Sequence, residues 1–296
     1  MFFTGEPSRV RSPLLAAHKE HPRDPAAALA ALSAPDAPAW RDRERHLLFF
    51  HGAICWQIYD KVRSFEALRR KCARHHGFLD DYSFGVRWAV YSQHHKAPGF
   101  TLRATDLLPP PPHADLDDEM LHSTFCLCPS GTGWGMRVFH SIALGCLPVL
   151  IQRDAKRKYR SGGRSFWPRG SARWPHDGGR FCRRYPPVLQ SFEGLLLDWS
   201  EFGVVLEQES IPRLPSLLRE LADDAAALAR KRAALARVWT RLLWRAALPT
   251  DAAAALRSSP DAFDSLLQSL WLRMKHGLRG RRNLGGRRRR NGTAHP

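Results

Sequence analysis

The chain has 296 residues, which is enough for one large or two ordinary domains. Its formal net charge of +18 invites a nucleic-acid-binding interpretation, but the charge is concentrated in two segments. Residues 153–186 hold 11 Lys/Arg and 2 Asp, and residues 276–296 hold 7 Arg and no acidic residue. Together they supply +16 of the +18, so the remainder is nearly neutral and disfavours a nucleic-acid surface on a folded core.

Both basic segments are rich in Gly, Arg, Ser and Pro and poor in aliphatic residues. They cannot bury enough apolar surface to offset the entropy of ordering them. We therefore predict a basic low-complexity insertion at 153–186 and a disordered Arg-rich tail at 276–296. A basic arm for RNA or acidic polysaccharide is the alternative, since Trp167 and Trp174 allow stacking, although no RNA-binding signature accompanies them.

In the first half of the chain, the sequence predicts helices, strands and loops in succession. Residues 1–45, with several prolines and a run of alanines, are expected to be a linker or partial N-terminal region with a short helix at 25–33. No apolar run reaches 18 residues, and no signal-peptide pattern is visible. The elements predicted next are a strand at 46–50, a helix at 59–76, a strand at 84–91, a loop at 101–113 and a short helix at 115–122.

The central segment is the most informative part of the sequence. A short apolar strand at 124–128 leads into the glycine-punctuated stretch 129–135, a helix at 136–144 that ends at Gly145, and a buried strand at 147–151. A strand that feeds a glycine-rich loop and a helix directs backbone N–H groups and the positive helix end at one point, which suits a phosphate. The glycine spacing matches neither the dinucleotide-binding pattern nor the Walker pattern, so a tight turn that binds no ligand remains the alternative interpretation.

The last part predicts a strand at 204–206 and helices at 211–221, 225–248 and 260–275. Strands that alternate with helices predict an α/β fold, with a Rossmann-like parallel sheet and helices on both faces. Ligands of such sheets bind at the carboxyl ends of the strands, where the loop at 130–135 falls.

Several segments resemble the exostosin-type glycosyltransferases, in the order that this family has them. The central segment matches the family pattern at Phe125, Cys126, Leu127, Cys128, Pro129, Gly131, Arg137, Gly145, Cys146, Pro148, Val149 and Ile151. Shorter matches lie at residues 47–52, 191–202, 209–214 and 261–271.

The resemblance implies one half of a GT-B-type enzyme that transfers a sugar from a nucleotide sugar, expected to be a UDP-sugar, to a glycan or glycoprotein acceptor. The donor-binding residues that it implies are Ser130, Gly131, Thr132, Gly133, Trp134, Gly135, Arg137, His140 and Glu193. Arg137 suits a diphosphate. His140 stands where the family usually carries Glu, and this puts donor binding in doubt. We predict no bound metal, and the sequence identifies no catalytic base.

Family enzymes are usually single-pass Golgi proteins with an N-terminal anchor and an acceptor-side domain. Both are expected to be missing here, so we interpret residues 46–275 as the donor-binding domain, interrupted at 153–186. That interruption is either a lineage-specific loop or translated non-coding sequence. A catalytically inactive sugar-nucleotide- or glycan-binding remnant is the alternative function, and a nucleic-acid-binding protein is a weaker one.

Cysteine spacing leaves two structural alternatives. Cys126 and Cys128 lie two residues apart on a strand and so face the same side of it. Either both are small buried residues, or one of them forms a disulfide with Cys146 or Cys55.

Overall fold

The computed structural model describes residues 12–34, 37–55, 61–74, 83–109, 115–129, 136–152, 190–193 and 195–275. Both basic segments fall outside these residues, as do Trp167, Trp174 and the predicted loop at 130–135.

Five parallel strands form one sheet in the order β2-β1-β3-β4-β5. Leu48 of β1 lies opposite Phe100 of β2 on one side and Phe125 of β3 on the other, so β1 lies between these two strands. Every residue of β3 is buried, as expected for a parallel strand covered on both faces. The strands are β1 (His46–Gly52), β2 (Phe100–Ala104), β3 (Ser123–Leu127), β4 (Leu147–Gln152) and β5 (Val204–Glu207).

Helices surround the sheet, which confirms the predicted α/β, Rossmann-like class. Within the described ranges, none of them is both long and apolar enough to cross a bilayer. They are α1 (Pro13–Glu20), α2 (Pro25–Ser33), α3 (Phe65–Arg74), α4 (Val86–His94), α5 (Leu116–Leu121), α6 (Met136–Ala143), α7 (Trp199–Phe202), α8 (Leu214–Asp223), α9 (Ala225–Val238), α10 (Thr250–Ala255) and α11 (Ala262–Lys275).

The described residues before β1 form part of the folded body, which corrects the prediction of a linker at 1–45. Leu14 and Leu32 are fully buried in the same core cluster as the sheet residues. Ser12 accepts a hydrogen bond from the backbone N–H of Leu15 and donates one to the carbonyl of Ala143. This segment therefore satisfies carbonyl groups that the end of α6 leaves without helical partners.

Two predicted elements have the wrong type. Residues 84–91 were expected to form a strand, yet Val86–His94 is the helix α4, which follows a left-handed Gly85. Its buried residues Val86, Val90, Tyr91 and His94 recur at helical spacing, so the short alternation was misleading. The loop expected at 101–113 contains the strand β2, whose buried residues alternate with half-buried ones.

Three predicted helices also have different boundaries. The helix expected at 59–76 begins at Phe65, and Val62 before it forms a β-bridge with Leu107. The helix expected at 211–221 begins as a 3-10 segment, Gln208–Arg213, and becomes α-helical at Leu214. The long helix expected at 225–248 ends at Val238, where the 3-10 turn Trp239–Leu242 takes over.

Candidate functional site

The strand order creates a crevice between β1 and β3. The chain leaves β1 toward β2 on one side, and β3 lies on the other side, so the connections diverge at the carboxyl ends of these two strands. Doubly wound sheets bind ligands at such a switch point. Gly52 ends β1 here, and Cys128 and Pro129 follow β3 and lead toward α6.

Arg137, one of the residues predicted to bind the donor, lies at this edge. It is the second residue of α6, and its guanidinium carbon sits 4.9 Å from the centre of the Phe50 ring. A methyl group added to Gly52 would lie 3.1 Å from Nη2 of Arg137. Glycine at the end of β1 therefore leaves the space that this guanidinium occupies.

A second arginine converges on the same point. The guanidinium carbon of Arg87 sits 5.5 Å from the centre of the Phe50 ring, and its Nη1 donates a 2.9 Å hydrogen bond to the carbonyl of Ala53. The same Nη1 would lie 3.6 Å from a methyl group on Gly52. We refer to Arg87, Arg137, Phe50 and Gly52 as the switch-point cluster. Its two planar forks of N–H donors match the geometry of phosphate oxygens.

Sequence reasoning missed Arg87 because its segment was predicted to be a strand. On a strand its side chain would alternate with Val86 and Trp88, whereas on α4 it lies in the first turn at the carboxyl edge of the sheet. The signal that could have found it is the helical spacing of the apolar residues after Gly85.

Asp106 fixes the loop that follows β1 and was also missed. Its fully buried carboxylate accepts hydrogen bonds of 2.9–3.1 Å from the backbone N–H groups of Ile54 and Cys55. A disulfide joins Cys55 to Cys72 of α3 and ties the same loop to a helix. The edge around Gly52 is thus held by a buried anion and a covalent link.

The other disulfide resolves the alternatives left open for the central strand. Cys126 pairs with Cys146, with their Cα atoms 5.8 Å apart, and this joins β3 to the residue just before β4. Cys128 is a buried free thiol beside the hydroxyl of Ser141. Burial raises the pKa of Cys128 to about 11, so this thiol is not an activated nucleophile.

His140 lies one turn along α6 from Arg137, and its Nε2 is 2.7 Å from Oδ1 of Asp117 near the start of α5. Both side chains are about one-third exposed. The predicted contact between His140 and a donor hydroxyl is not tested by this geometry and remains a prediction.

Glu193 has a local role in the structure. Its carboxylate accepts a 2.7 Å hydrogen bond from the backbone N–H of Gln190, which supports the turn before Leu197. A contact between Glu193 and a donor sugar remains a prediction. The remaining predicted ligand residues, Ser130 to Gly135, lie outside the described residues.

The prediction that no metal binds overlooked one Asp-x-Asp tripeptide, Asp115-Leu116-Asp117. In the structure Asp115 caps α5 by accepting hydrogen bonds from the N–H groups of Asp117 and Asp118, and Asp117 contacts His140. Across the described part of the chain, no three His, Cys, Asp or Glu side chains cluster as metal ligands would.

The family model of the exostosin GT47 domain matches residues 15–221, and the chain belongs to this glycosyltransferase family. A "probable glucuronosyltransferase" of Oryza sativa subsp. japonica is 26% identical over 197 residues, which cover 66% of this chain and 36% of that protein. The "probable glucuronoxylan glucuronosyltransferase IRX7" of Arabidopsis thaliana is 28% identical over 113 residues, or 38% of this chain and 20% of that protein.

The matched part of the chain thus spans about a third or less of the length of these relatives. No solved structure matches the chain significantly. The family has the GT-B architecture, and the five-stranded parallel sheet is consistent with one of its Rossmann-like halves.

Proposed function

We propose that this chain is the donor-binding part of a glycosyltransferase and that its switch-point cluster receives the diphosphate of a nucleotide sugar. The observation that carries the proposal is the convergence of Arg87 and Arg137 on Gly52, at the carboxyl edge between β1 and β3. A guanidinium can hydrogen-bond two phosphate oxygens at once, and in Arg87 one Nη already donates to the carbonyl of Ala53, which fixes its orientation. The loop from Ser130 to Gly135 connects β3 to the helix that carries Arg137, so we include it in the same site.

The two arginines suit the chemistry of glycosyl transfer. An acceptor hydroxyl attacks the anomeric carbon, its proton passes to a base, and the bond to the nucleoside diphosphate breaks. Negative charge then builds up on the departing diphosphate, where fixed cations stabilise the transition state more than the ground state. Arg87 and Arg137 would supply that charge. We propose an inverting reaction and expect the base to come from outside the described residues.

The identity of the donor and acceptor is a finer part of the proposal. The names of the relatives make UDP-glucuronate the first UDP-sugar to test, with a glycan as acceptor. A Golgi lumen location is part of the same proposal. Two disulfides among the described residues support an oxidising compartment.

A catalytically inactive nucleotide-sugar-binding protein is the second candidate. His140 in place of the family's Glu is the observation that favours it, and the contact of His140 with Asp117 shows that its imidazole already has a partner. Such a protein would bind the donor and release no free UDP from it.

Calorimetric titration of the full chain with UDP and UDP-glucuronate tests the proposal. We expect Arg137→Ala and Arg87→Ala each to weaken UDP binding by about 1.5–3 kcal/mol, the usual contribution of a hydrogen bond to a charged group. Arg257→Ala, which removes an exposed arginine after α10, is the matched control. Absence of UDP binding by the folded wild-type chain would overturn the proposal. Binding without UDP release in the presence of glycan acceptors would select the inactive alternative.

A further inference from the structure

Helix α11 has its amphipathic pattern reversed. Small residues of this 14-residue helix, Ala262, Ser265 and Ser269, are buried against the protein. Its large apolar side chains point outward instead, with exposures from 39% to 80%. In the part of the chain that the structure describes, the large exposed hydrophobic residues all lie on this helix, at Phe263, Leu266, Leu267, Leu270, Trp271 and Met274.

We propose that the exposed face of α11 is a self-association surface, on which the α11 helix of a second copy of this chain packs in antiparallel orientation. Contiguous apolar patches of this kind mark interaction sites on soluble proteins. The sequence of the helix itself argues for a second copy as the occupant.

The apolar stripe is symmetric about the middle of the helix. Phe263, Leu267, Leu270 and Met274 follow one another at spacings of four, three and four residues. This is the spacing of a helix–helix seam. Because it reads the same in both directions, two antiparallel copies place Phe263 against the partner copy's Met274 and Leu267 against its Leu270. A two-fold interface requires this kind of self-complementarity.

The flanking charges also favour an antiparallel pair of copies. At 100° per residue, Asp264 and Lys275 lie on the same flank of the stripe at opposite ends of the helix. Antiparallel packing brings the Asp264 of each copy close to the Lys275 of the other. Parallel packing would place these residues of the two copies on opposite flanks of the seam and would form no such pair.

The size of the surface determines how strong we expect the association between two copies to be. A helix of 14 residues is about 21 Å long, so one helix pair falls at the small end of specific interfaces. Association should therefore be reversible and concentration-dependent. The occupant that competes with a second copy is a lipid surface, because apolar helices with adjacent Arg and Lys also bind anionic membranes.

Sedimentation velocity of the full chain over a concentration series tests the proposal, and we expect a monomer–dimer equilibrium. Leu267→Glu and Leu270→Glu should each weaken it by roughly tenfold or more, because each seam residue occurs twice in a symmetric pair. Gln268→Glu is the matched control. It adds the same charge to the same helix, but beside Arg241, whose Nη1 donates to the Gln268 side chain.

Cysteine cross-linking distinguishes antiparallel from parallel packing of the two helices. A mixture of Phe263→Cys and Met274→Cys chains should form a mixed disulfide dimer, whereas two Phe263→Cys chains would have these residues about 16 Å apart. Four results would each overturn the proposal. The first is a chain that stays monomeric up to about 200 µM, where even weak interfaces associate. The second is a disulfide between two Phe263→Cys chains. The third is a monomeric chain that binds phosphatidylserine vesicles and loses this binding in Leu267→Glu. The fourth is a loss of stability in Leu267→Glu without any change in association, which would mean that the face is covered within one chain.

Discussion

A pair of arginines lies on an aromatic ring near each end of helix α6, and the two pairs lie at opposite poles of the helix dipole. The switch-point cluster lies at its N-terminal end. At the C-terminal end the guanidinium carbons of Arg43 and Arg232 lie 5.6 Å and 5.8 Å from the centre of the Trp40 ring, and Gly145 leaves space for Arg43 and this ring. We refer to Arg43, Arg232, Trp40 and Gly145 as the C-terminal cluster.

Backbone carbonyls accept hydrogen bonds from Arg43 of the C-terminal cluster, as the carbonyl of Ala53 does from Arg87 of the switch-point cluster. Arg43 is 2% exposed, and it donates from Nε to the carbonyl of Ala39 at 2.9 Å and from Nη2 to the carbonyl of Leu144 at 2.7 Å. Burial, and then the charge of Arg232, lowers the pKa of Arg43 to about 9. The negative pole of the helix favours a cation here.

The switch-point cluster is at the opposite pole. The start of a helix is itself positive, so Arg137 adds to the local potential instead of offsetting it. Such a site is suited to an anion from outside the chain. Two arginines on a ring are therefore not enough to identify a ligand site, and we propose that the pole of the helix beside them separates the structural pair from the binding pair.

Loss of Arg43 should have the largest effect on stability. Arg43→Met keeps the apolar stem but leaves the carbonyls of Ala39 and Leu144 without their donor, so we expect the free energy of unfolding to fall by about 3 kcal/mol. Arg232→Met makes the same chemical change in the same cluster and should lose about 1 kcal/mol or less, as expected for a half-buried cation. Urea denaturation measures both. A lower UDP affinity of folded Arg43→Met would contradict the structural role.

The glycine of the C-terminal cluster should be the next most sensitive position. Gly145 has φ of +74°, and a methyl group on it would lie 2.8 Å from Nη2 of Arg43. We expect Gly145→Ala to lower the free energy of unfolding by about 2 kcal/mol. Gly85→Ala is the matched control, since Gly85 has φ of +77° and nothing within 4 Å of the added methyl. Equal losses in the two variants would show that only the backbone matters.

The sequence located the two clusters with unequal success. Arg137 and Gly145 belong to one continuous segment from β3 to β4, where periodicity and glycine positions act locally, so both could be placed in advance. Arg87 reaches the switch-point cluster, and Arg43 the C-terminal cluster, from segments whose structure depends on tertiary packing.

Packing explains why these two segments were misjudged. The alternation near Arg87 is as compatible with a short helix as with a strand, and only burial of its helical face decides between them. Residues before β1 looked like a linker because alanine and proline carry little periodic signal. Residues 12–34 and 37–45 pack in the fold because they donate hydrogen bonds to carbonyls at the end of α6 and bury apolar side chains in the core.

The glycine of the switch-point cluster should affect binding more than stability. Gly52→Ala places a methyl group 3.1 Å from Nη2 of Arg137, so this guanidinium must shift by a few tenths of an ångström. We expect UDP affinity to fall about fivefold, or about 1 kcal/mol, with a smaller change in the free energy of unfolding. The measurement is titration calorimetry beside urea denaturation. The result that contradicts the binding role is a loss of stability as large as that of Gly145→Ala with UDP affinity unchanged.

His140 should give the smallest effect, and it tests how far the binding site extends along α6. If its imidazole occupies the place of the family's Glu, then His140→Glu should strengthen UDP-sugar binding about threefold, because a carboxylate accepts more hydrogen bonds from hydroxyl groups than an imidazole does.

Because Nε2 of His140 contacts Asp117, the new carboxylate would meet a like charge, and His140→Glu combined with Asp117→Asn should show the full gain. Asp117→Asn alone is the control. An unchanged affinity in the double variant would mean that His140 only joins α6 to α5, and that the proposed anion site ends with the first turn of α6 at Arg137.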